Sequence, residues 1–172
     1  VQAGDVLVKL DSSSLETDRM KQQITAESSR ALLIQATNDH SMAIKARDEY
    51  LAGKYALDRQ AILSEKLLAM ENRRRAEDYL RYSQKLFEKG YVPKVQKEAD
   101  EFWLTKYRSD EEAAKLKLKV LEEYTKVKTM ADLEATINTT KAKLEAQRYA
   151  HELDQQRLRL IESQIAKCII KA

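Results

Sequence analysis

The sequence predicts a mostly α-helical fold, a long antiparallel coiled-coil hairpin with short β segments at its base. The chain has 172 residues, 34% of them charged, but only three glycines and one proline. This balance is typical of long solvent-exposed helices and not of a compact globule. The single proline, Pro93, lies close to Gly90 between two stretches rich in Ala, Leu, Glu, Lys, Gln and Arg, which are good helix formers. One helical arm is therefore expected to run out, turn at residues 90–93 and return.

A short β segment is predicted at each end of the chain. Within residues 1–11, a turn-forming Ala-Gly-Asp sequence precedes the strand-forming residues Val6, Val8 and Leu10. One strand cannot stand alone, because its edges need partners. Residues 167–172 contain the β-branched pair Ile169-Ile170, preceded by Cys168, which we interpret as a small apolar residue of the same strand. We therefore expect residues 6–10 to pair with residues 168–171.

The outgoing arm is predicted over residues 12–89. Ser13 followed by Glu16 three residues later matches a capping box at a helix start. Gly53 interrupts the helical pattern, so we expect a kink or local break near residue 53. Gly90 can adopt the left-handed conformation that ends a helix, and Val92 is pushed out of the helical region because it precedes proline.

The return arm is predicted over residues 94–166. Thr129 followed by Asp132 resembles a second helix start. Because Gly53 and Thr129 lie at nearly equal distances from Gly90, we expect the two interruptions, near 53 and near 128–129, to face each other. The last helix carries a seven-residue apolar repeat typical of a coiled-coil seam. Its members are Ile137, Leu144, His151, Leu158 and Ile165.

Charge and composition argue against several functions. Lys and Arg total 31 and Asp and Glu 28, and the charges alternate along the chain without forming the basic face of a nucleic-acid-binding protein. With one cysteine, no internal disulfide can form. His40 and His151 lie on different arms without neighbouring ligands, so we predict no metal site. No pair of carboxylates converges on a pocket, so we predict neither a catalytic site nor a cofactor.

The turn is the strongest candidate for a functional surface. Tyr91 and Val92 are an aromatic and a β-branched residue on a tight turn, where exposure costs solvation energy without helping the fold. Such residues often mark a contact with another protein. The alternative is that they pack locally as a hydrophobic staple. Both interpretations remain open at this point.

Both ends of the chain resemble one protein family. The sequence Gly-Asp-Val-Leu-Val-Lys-Leu-Asp ends at Asp11, and Ile-Ala-Lys-Cys-Ile-Ile-Lys-Ala ends at Ala172. With a long hairpin between them, these motifs resemble the HlyD-type membrane fusion proteins, the periplasmic adaptor subunits of bacterial efflux and secretion systems. The resemblance implies a lipoyl-like β-domain split by the hairpin, with residues 1–11 ending its first half and residues 167–172 opening its second half.

The resemblance also implies a function and a location. The chain would be a non-catalytic segment that links an inner-membrane transporter to the outer envelope, in a protein that forms homo-oligomers. It would lie in the periplasm and be anchored to the inner membrane by a segment outside this chain. The chain starts with Val1 instead of Met, which agrees with a piece of a longer protein.

Members of this family that dock on a TolC-type outer-membrane duct carry an Arg…Leu…Ser pattern around the turn. With Leu86 as the leucine, this sequence has Tyr82 at the arginine position and Pro93 at the serine position. Two of the three positions depart from the pattern, which puts such docking in doubt. The resemblance and the turn together give a predicted contact site. It consists of Tyr82, Leu86, Gly90, Tyr91, Val92 and Pro93.

Two other functions are compatible with the same sequence. A structural coiled-coil dimerisation module would need only the helices, and its end strands would be incidental. A carrier-type lipoyl or biotinyl domain with a helical insertion would need a modified lysine. Lys9 lies in the predicted lipoyl-like half but lacks the Asp-Lys-Ala or Met-Lys-Met signature of carrier domains.

Overall fold

The computed structural model describes residues 6–171. The described residues form two units, one from both ends of the chain, up to Lys45 and from Glu134, and one spanning Ala46–Leu133. The Gly4-Asp5 turn sequence lies outside the described residues. Helices dominate the described chain and two short strands accompany them, which confirms the predicted mostly-α hairpin. The elements in chain order are β1 (Val6–Lys9), α1 (Ser13–Glu49), π1 (Tyr50–Tyr55), α2 (Ala56–Glu88), α3 (Lys94–Lys119), π2 (Val120–Thr125), α4 (Lys126–Lys167) and β2 (Ile169–Lys171).

The two strands pair as predicted. β1 and β2 are antiparallel, with Val8 opposite Ile170 and Lys9 opposite Ile169. The Leu10 N–H extends the pairing by donating to the Cys168 carbonyl at 2.9 Å. Cys168 itself precedes β2 and does not belong to it, and its thiol donates to the Gln164 carbonyl at 3.4 Å. The cysteine therefore satisfies the last turn of α4, where we had expected a strand residue.

Asp11, one of several polar residues before the helix that could cap it, caps α1, and the predicted Ser13–Glu16 capping box is absent. The Asp11 carboxylate accepts both the Ser13 backbone N–H, at 3.0 Å, and the Ser13 hydroxyl, at 2.6 Å. These two hydrogen bonds lower the pKa of Asp11, the hydroxyl bond contributing most. Because Ser13 is already the first residue of α1 and the Glu16 N–H donates to the Ser12 carbonyl, the Ser13–Glu16 capping box does not form. Glu16 instead accepts from the Ser12 hydroxyl at 2.9 Å.

In the first unit, α1 contributes small side chains to the seam and α4 contributes larger ones. The buried positions of α1 are Ala26, Ser29, Ala36 and Ala43. Opposite them, the five members of the predicted seven-residue repeat of α4 are all half-buried. Alanine and serine let the two backbones approach closely, and the Ile and Leu side chains of α4 fill the remaining space. The seam is consequently narrow, with no fully buried large side chain among the described residues.

The second unit pairs α2 with α3 in the same way. Its buried positions are Ala69, Ala76 and Ser83 on α2, Leu104, Glu111 and Ala114 on α3, and Leu121 on π2. Most of these side chains are small, so little apolar area is removed from water at each level. Large apolar side chains in this unit consequently remain at the surface.

The helices are interrupted by two π-helical segments, and one of them lies away from the expected position. π1 contains Gly53, near which an interruption was predicted. On the return arm, α4 runs through residues 128 and 129, and the interruption is π2 at Val120–Thr125. No helix starts at Thr129, because an N-cap residue needs a non-helical backbone and the chain is already helical at Lys126 (φ −59°, ψ −49°). Both segments are widened turns within continuous helices.

Cross-helix contacts show how the two π segments are arranged. Arg59 of α2 pairs with Glu122 of π2, with Nε 2.7 Å from Oε1. The Lys126 ammonium of α4 lies 4.8 Å from the centroid of the Tyr55 ring in π1. π2 therefore faces the start of α2, and π1 faces the start of α4. The two π segments do not lie directly opposite each other. Each allows its helix to accommodate extra chain length without ending.

Candidate partner-contact site at the hairpin turn

The turn begins with a Schellman motif at the end of α2. Gly90 has a φ of 77°, in the left-handed region that side chains other than glycine rarely adopt. The Gly90 N–H donates to the Phe87 carbonyl and the Tyr91 N–H to the Leu86 carbonyl, both at 2.9 Å. These are the two reverse hydrogen bonds that define the motif, and they satisfy carbonyls that the helix end leaves open.

Pro93 starts the return arm from outside the helix. Its backbone is extended, with φ −74° and ψ 157°, and it occupies the N-cap position before Lys94. Its carbonyl accepts the Gln96 N–H at 3.1 Å, which forms the first turn of α3. The turn between the helices is therefore held by backbone hydrogen bonds and by the preset φ of proline, with no side-chain cap.

The predicted site residues differ in exposure. Tyr91 is 75% exposed at the turn, and Tyr82 is 64% exposed on α2. Val92, expected to be exposed, is half-buried, as is Leu86. A short β-branched side chain between two turn residues has little reach, so the surrounding backbone covers part of it. At the turn itself, Tyr91 is thus the large side chain left open to solvent.

Tyr82 lies in a groove and is not part of the turn. A first groove of about 340 Å³ runs along the pair of helices and is lined by Asn72, Arg75, Ala76, Tyr79, Asp100, Trp103 and Tyr107. A second, of about 470 Å³, continues it toward the turn and is lined by Arg75, Asp78, Tyr79 and Tyr82. We call the two together the aromatic groove. The sequence analysis missed it, although Tyr79 and Tyr82 lie three residues apart on α2, and Trp103 and Tyr107 four apart on α3.

The rings on α3 hold one another in a fixed arrangement. Trp103 and Tyr107 stack with centroids 5.8 Å apart and an interplanar angle of 25°. The Lys106 ammonium lies over both rings, 5.7 Å from the Trp103 centroid and 5.0 Å from that of Tyr107. Such cation–π contacts favour one orientation of the rings. The pair therefore presents a preformed aromatic surface to the groove.

Another side of the same two helices carries an ion-pair cluster. Arg73 bridges Glu111 and Glu77, with its NH1 group 2.7 Å from the Glu77 carboxylate. Arg108 also donates to Glu77, at 3.3 Å, and Lys115 lies 2.9 Å from Glu111. Because Glu111 is only 6% exposed, its charge needs these partners. This cluster ties α2 to α3 and fixes their register.

The cluster shifts the acid–base behaviour of its carboxylates. The pKa of Glu111 is lowered, first by the hydrogen bond from Lys115 and then by Arg73, against the opposing effect of burial. The pKa of Glu77 is lowered by Arg108 first and also by Arg73. Both carboxylates are therefore held in the charged form, and their charge-assisted hydrogen bonds stabilise the packing of α2 against α3.

Neither histidine lies in a metal site. His40 Nδ1 lies 3.2 Å from the Thr140 hydroxyl, and His151 Nδ1 lies 3.1 Å from that of Ser29. Within residues 6–171, no three His, Cys, Asp or Glu side chains group together in a way that could hold a metal ion. None of the helices in this range has both the length and the hydropathy that a membrane crossing requires.

Comparison with known proteins gives one informative result. No family model and no curated protein matches this sequence. Among solved structures, the chain is similar to a structure of the periplasmic adaptor protein EmrA, with a TM-score of 0.54 at 18% sequence identity. The match covers all of this chain and 56% of the adaptor chain, so this chain spans little more than half of that protein's length. The similarity confirms the predicted long helical hairpin at the level of the fold.

Proposed function

We propose that this chain is the hairpin of a periplasmic adaptor, a non-catalytic protein that links an inner-membrane transporter to the outer envelope for efflux or secretion. The observation that supports this most is the match of the whole chain, from the paired strands through both arms, to the EmrA structure. A dimerisation module would need no pairing of the two chain ends. Fold alone does not imply function, so the proposal also depends on the two surfaces described next.

The base of the hairpin supports the expected split lipoyl-like domain. All described residues of β1 and β2 are exposed, including the apolar side chains of Leu7, Val8 and Ile170. A two-stranded sheet with exposed apolar faces is marginal in water, and three or more strands are needed for independent stability. We infer that residues 1–11 and 167–172 belong to the two halves of a larger β-domain that covers these faces.

The turn is the proposed contact with a component of the outer envelope. Tyr91 presents an aromatic ring to solvent on a backbone that Gly90 and Pro93 hold rigid, and aromatic anchors on rigid supports are typical of interface hot spots. Tyr82 and Pro93 replace the polar residues of the TolC-docking pattern, so the contact would be more apolar than in that group. The protein would act as a homo-oligomer in the periplasm, anchored to the inner membrane outside this chain, and would bind no nucleic acid.

The proposal is tested by export measured in cells that carry the full-length protein. Tyr91→Ala should abolish or strongly reduce export, while Tyr149→Ala should leave it unchanged. The two tyrosines are matched, at 75% and 70% exposed, but Tyr149 lies on α4 far along the chain from the turn. Helical circular dichroism should be the same for both variants, since surface substitutions usually change stability within about 0.5 kcal/mol. Normal export by Tyr91→Ala would leave the hairpin a spacer without a contact at its turn.

A further inference from the structure

Apart from Tyr82, the side chains that line the aromatic groove have no role in the proposed function. Tyr79 is 69% exposed and Trp103 46% exposed, although both are among the largest side chains in the unit. The Arg73–Glu111 and Arg108–Glu77 pairs already join the two helices, and the ring contacts of Trp103 lie within α3. Exposed rings concentrated in one groove mark a binding site more often than a structural surface.

The polar groups of the groove are only partly used by the protein. In residues 6–171, the amide of half-buried Asn72 and the hydroxyls of Tyr79 and Tyr107 make no hydrogen bond. Arg75 has one exposed partner, Glu71, at 3.2 Å, and Asp100 accepts one bond from Gln96 at 3.3 Å. The groove thus offers donors and acceptors beside its aromatic surface. A ligand that displaces water from the groove must form hydrogen bonds to these groups, because leaving them unpaired is unfavourable.

The charges of the groove decide which kind of ligand it can take. The cation of Arg75 is opposed by the carboxylates of Asp100 and, in the adjoining part, Asp78. A nucleic-acid strand would need a positively charged track along its phosphates, which this mixture does not provide. The apolar face of a helix would bury Asn72 and Asp100 without pairing them, which is unfavourable.

A sugar ring meets both requirements. It has an apolar C–H face that stacks on aromatic rings and a rim of hydroxyls that can donate and accept. Trp103 and Tyr107 supply a flat, preformed surface, and Asn72, Arg75 and Asp100 supply polar edges. A ligand that is apolar on its face and polar at its rim can stack on the rings and also hydrogen-bond to the polar groups of the groove.

We propose that the aromatic groove binds an uncharged, extended glycan chain. The two parts of the groove share Arg75 and Tyr79, so the site is continuous and longer than one sugar unit. The groove runs along α2 and α3, which suits β-1,4-linked sugars because they form extended chains. The rings that would stack on the sugars, Tyr79, Trp103 and Tyr107, lie outside the proposed contact site at the turn. Glycan binding can therefore hold or fail independently of the adaptor function.

The experiment uses the intrinsic fluorescence of the 172-residue chain, since Trp103 is its only tryptophan. Chitotetraose and cellotetraose are titrated as extended probes and maltotetraose as a curved one, with calorimetry as a second readout. We expect a saturable change in emission with at least one extended probe. Tyr79→Ala should weaken that binding about tenfold, the order expected for one lost ring contact, while the equally exposed Tyr149→Ala should not change it.

Three results would overturn the proposal, each with the fold verified by circular dichroism. The first is the absence of a saturable response to both extended probes up to about 10 mM, where binding would be too weak to be specific. The second is equal binding by Tyr79→Ala and the unaltered chain. The third is a response to an amphipathic helical peptide but to no glycan, which would make the groove a site for protein helices.

Discussion

His151 of α4 reaches across the seam of the first unit to Ser29 of α1, with Nδ1 3.1 Å from the serine Oγ. The Ser29 hydroxyl donates to the Ala26 carbonyl at 3.0 Å, so its oxygen is free to accept a hydrogen bond from His151 Nδ1. The other ring nitrogen, Nε2, accepts from the Gln155 amide at 3.0 Å. Both nitrogens of His151 are thus used, and the pair sets the register of α1 against α4.

Replacement of Ser29 by alanine should show how much the Ser29–His151 hydrogen bond contributes to the free energy of unfolding. The Nδ1–H of His151 would lose its acceptor in a part-buried position, and the free energy of unfolding should fall by about 1 kcal/mol. Urea unfolding followed by circular dichroism measures the change. Ser28→Ala is the control, because its side chain is exposed on the same turn of helix. Equal losses in the two variants would show that the cross-seam bond contributes nothing.

Substitution by alanine should change the stability of the chain in opposite directions at Gly90 and at Gly53. At Gly90, with φ 77°, a Cβ is strained whatever space surrounds it, so Gly90→Ala should destabilise the chain by about 1–2 kcal/mol. At Gly53 the backbone is helical and a Cβ would meet nothing within 4 Å. Gly53→Ala should therefore stabilise the chain by about 1 kcal/mol through helix propensity. Thermal unfolding distinguishes the two, and a loss at Gly53 would show that π1 depends on its glycine.

The ion-pair cluster should make the α2–α3 unit sensitive to acid. The folded pKa values of Glu77 and Glu111 lie below their ordinary value of 4.5, so both carboxylates stabilise the fold above that pH. This stabilisation is lost as the pH falls below 4.5 and through the lowered pKa values. Unfolding curves at neutral pH and at about pH 3 should differ accordingly.

Glu111→Gln tests the origin of that acid sensitivity. The variant should be less stable than the unaltered chain at neutral pH and should lose less stability on acidification, because one of the titrating carboxylates is gone. Glu112→Gln is the control, since Glu112 is exposed and its one ion-pair partner within residues 6–171 is Lys115, at 2.8 Å. An unchanged pH dependence in Glu111→Gln would assign the acid effect to other carboxylates.

The sequence was sufficient to predict those features that depend on local chemistry. Gly90 and Pro93 predicted the turn because each has a backbone preference that few other residues share. Val8 and Ile170 predicted the paired strands because an isolated strand is unstable. The seven-residue repeat of α4 predicted the half-buried face of this helix, since the period of the repeat follows the helix.

Features that depend on cross-helix geometry were not predictable in this way. π2 lies in a stretch without glycine or proline, and its place is determined by how α2 meets the return arm, as in the Arg59–Glu122 pair. The aromatic groove likewise needs the register of α2 against α3, which Arg73 and Glu111 help to fix from a different side of the pair. Val92 was expected to be exposed to solvent but is half-buried, because the sequence does not show which residues pack against it.

The most direct test of the account is site-specific photo-crosslinking from the turn in living cells. A benzophenone amino acid at position 91 of the full-length protein should crosslink to an outer-membrane component of the export system. The same group at position 149, an equally exposed tyrosine on α4, should not. If position 91 gives no crosslink to an outer-membrane protein while export is retained, or if both positions give the same products, the turn is not the contact and the central claim is wrong.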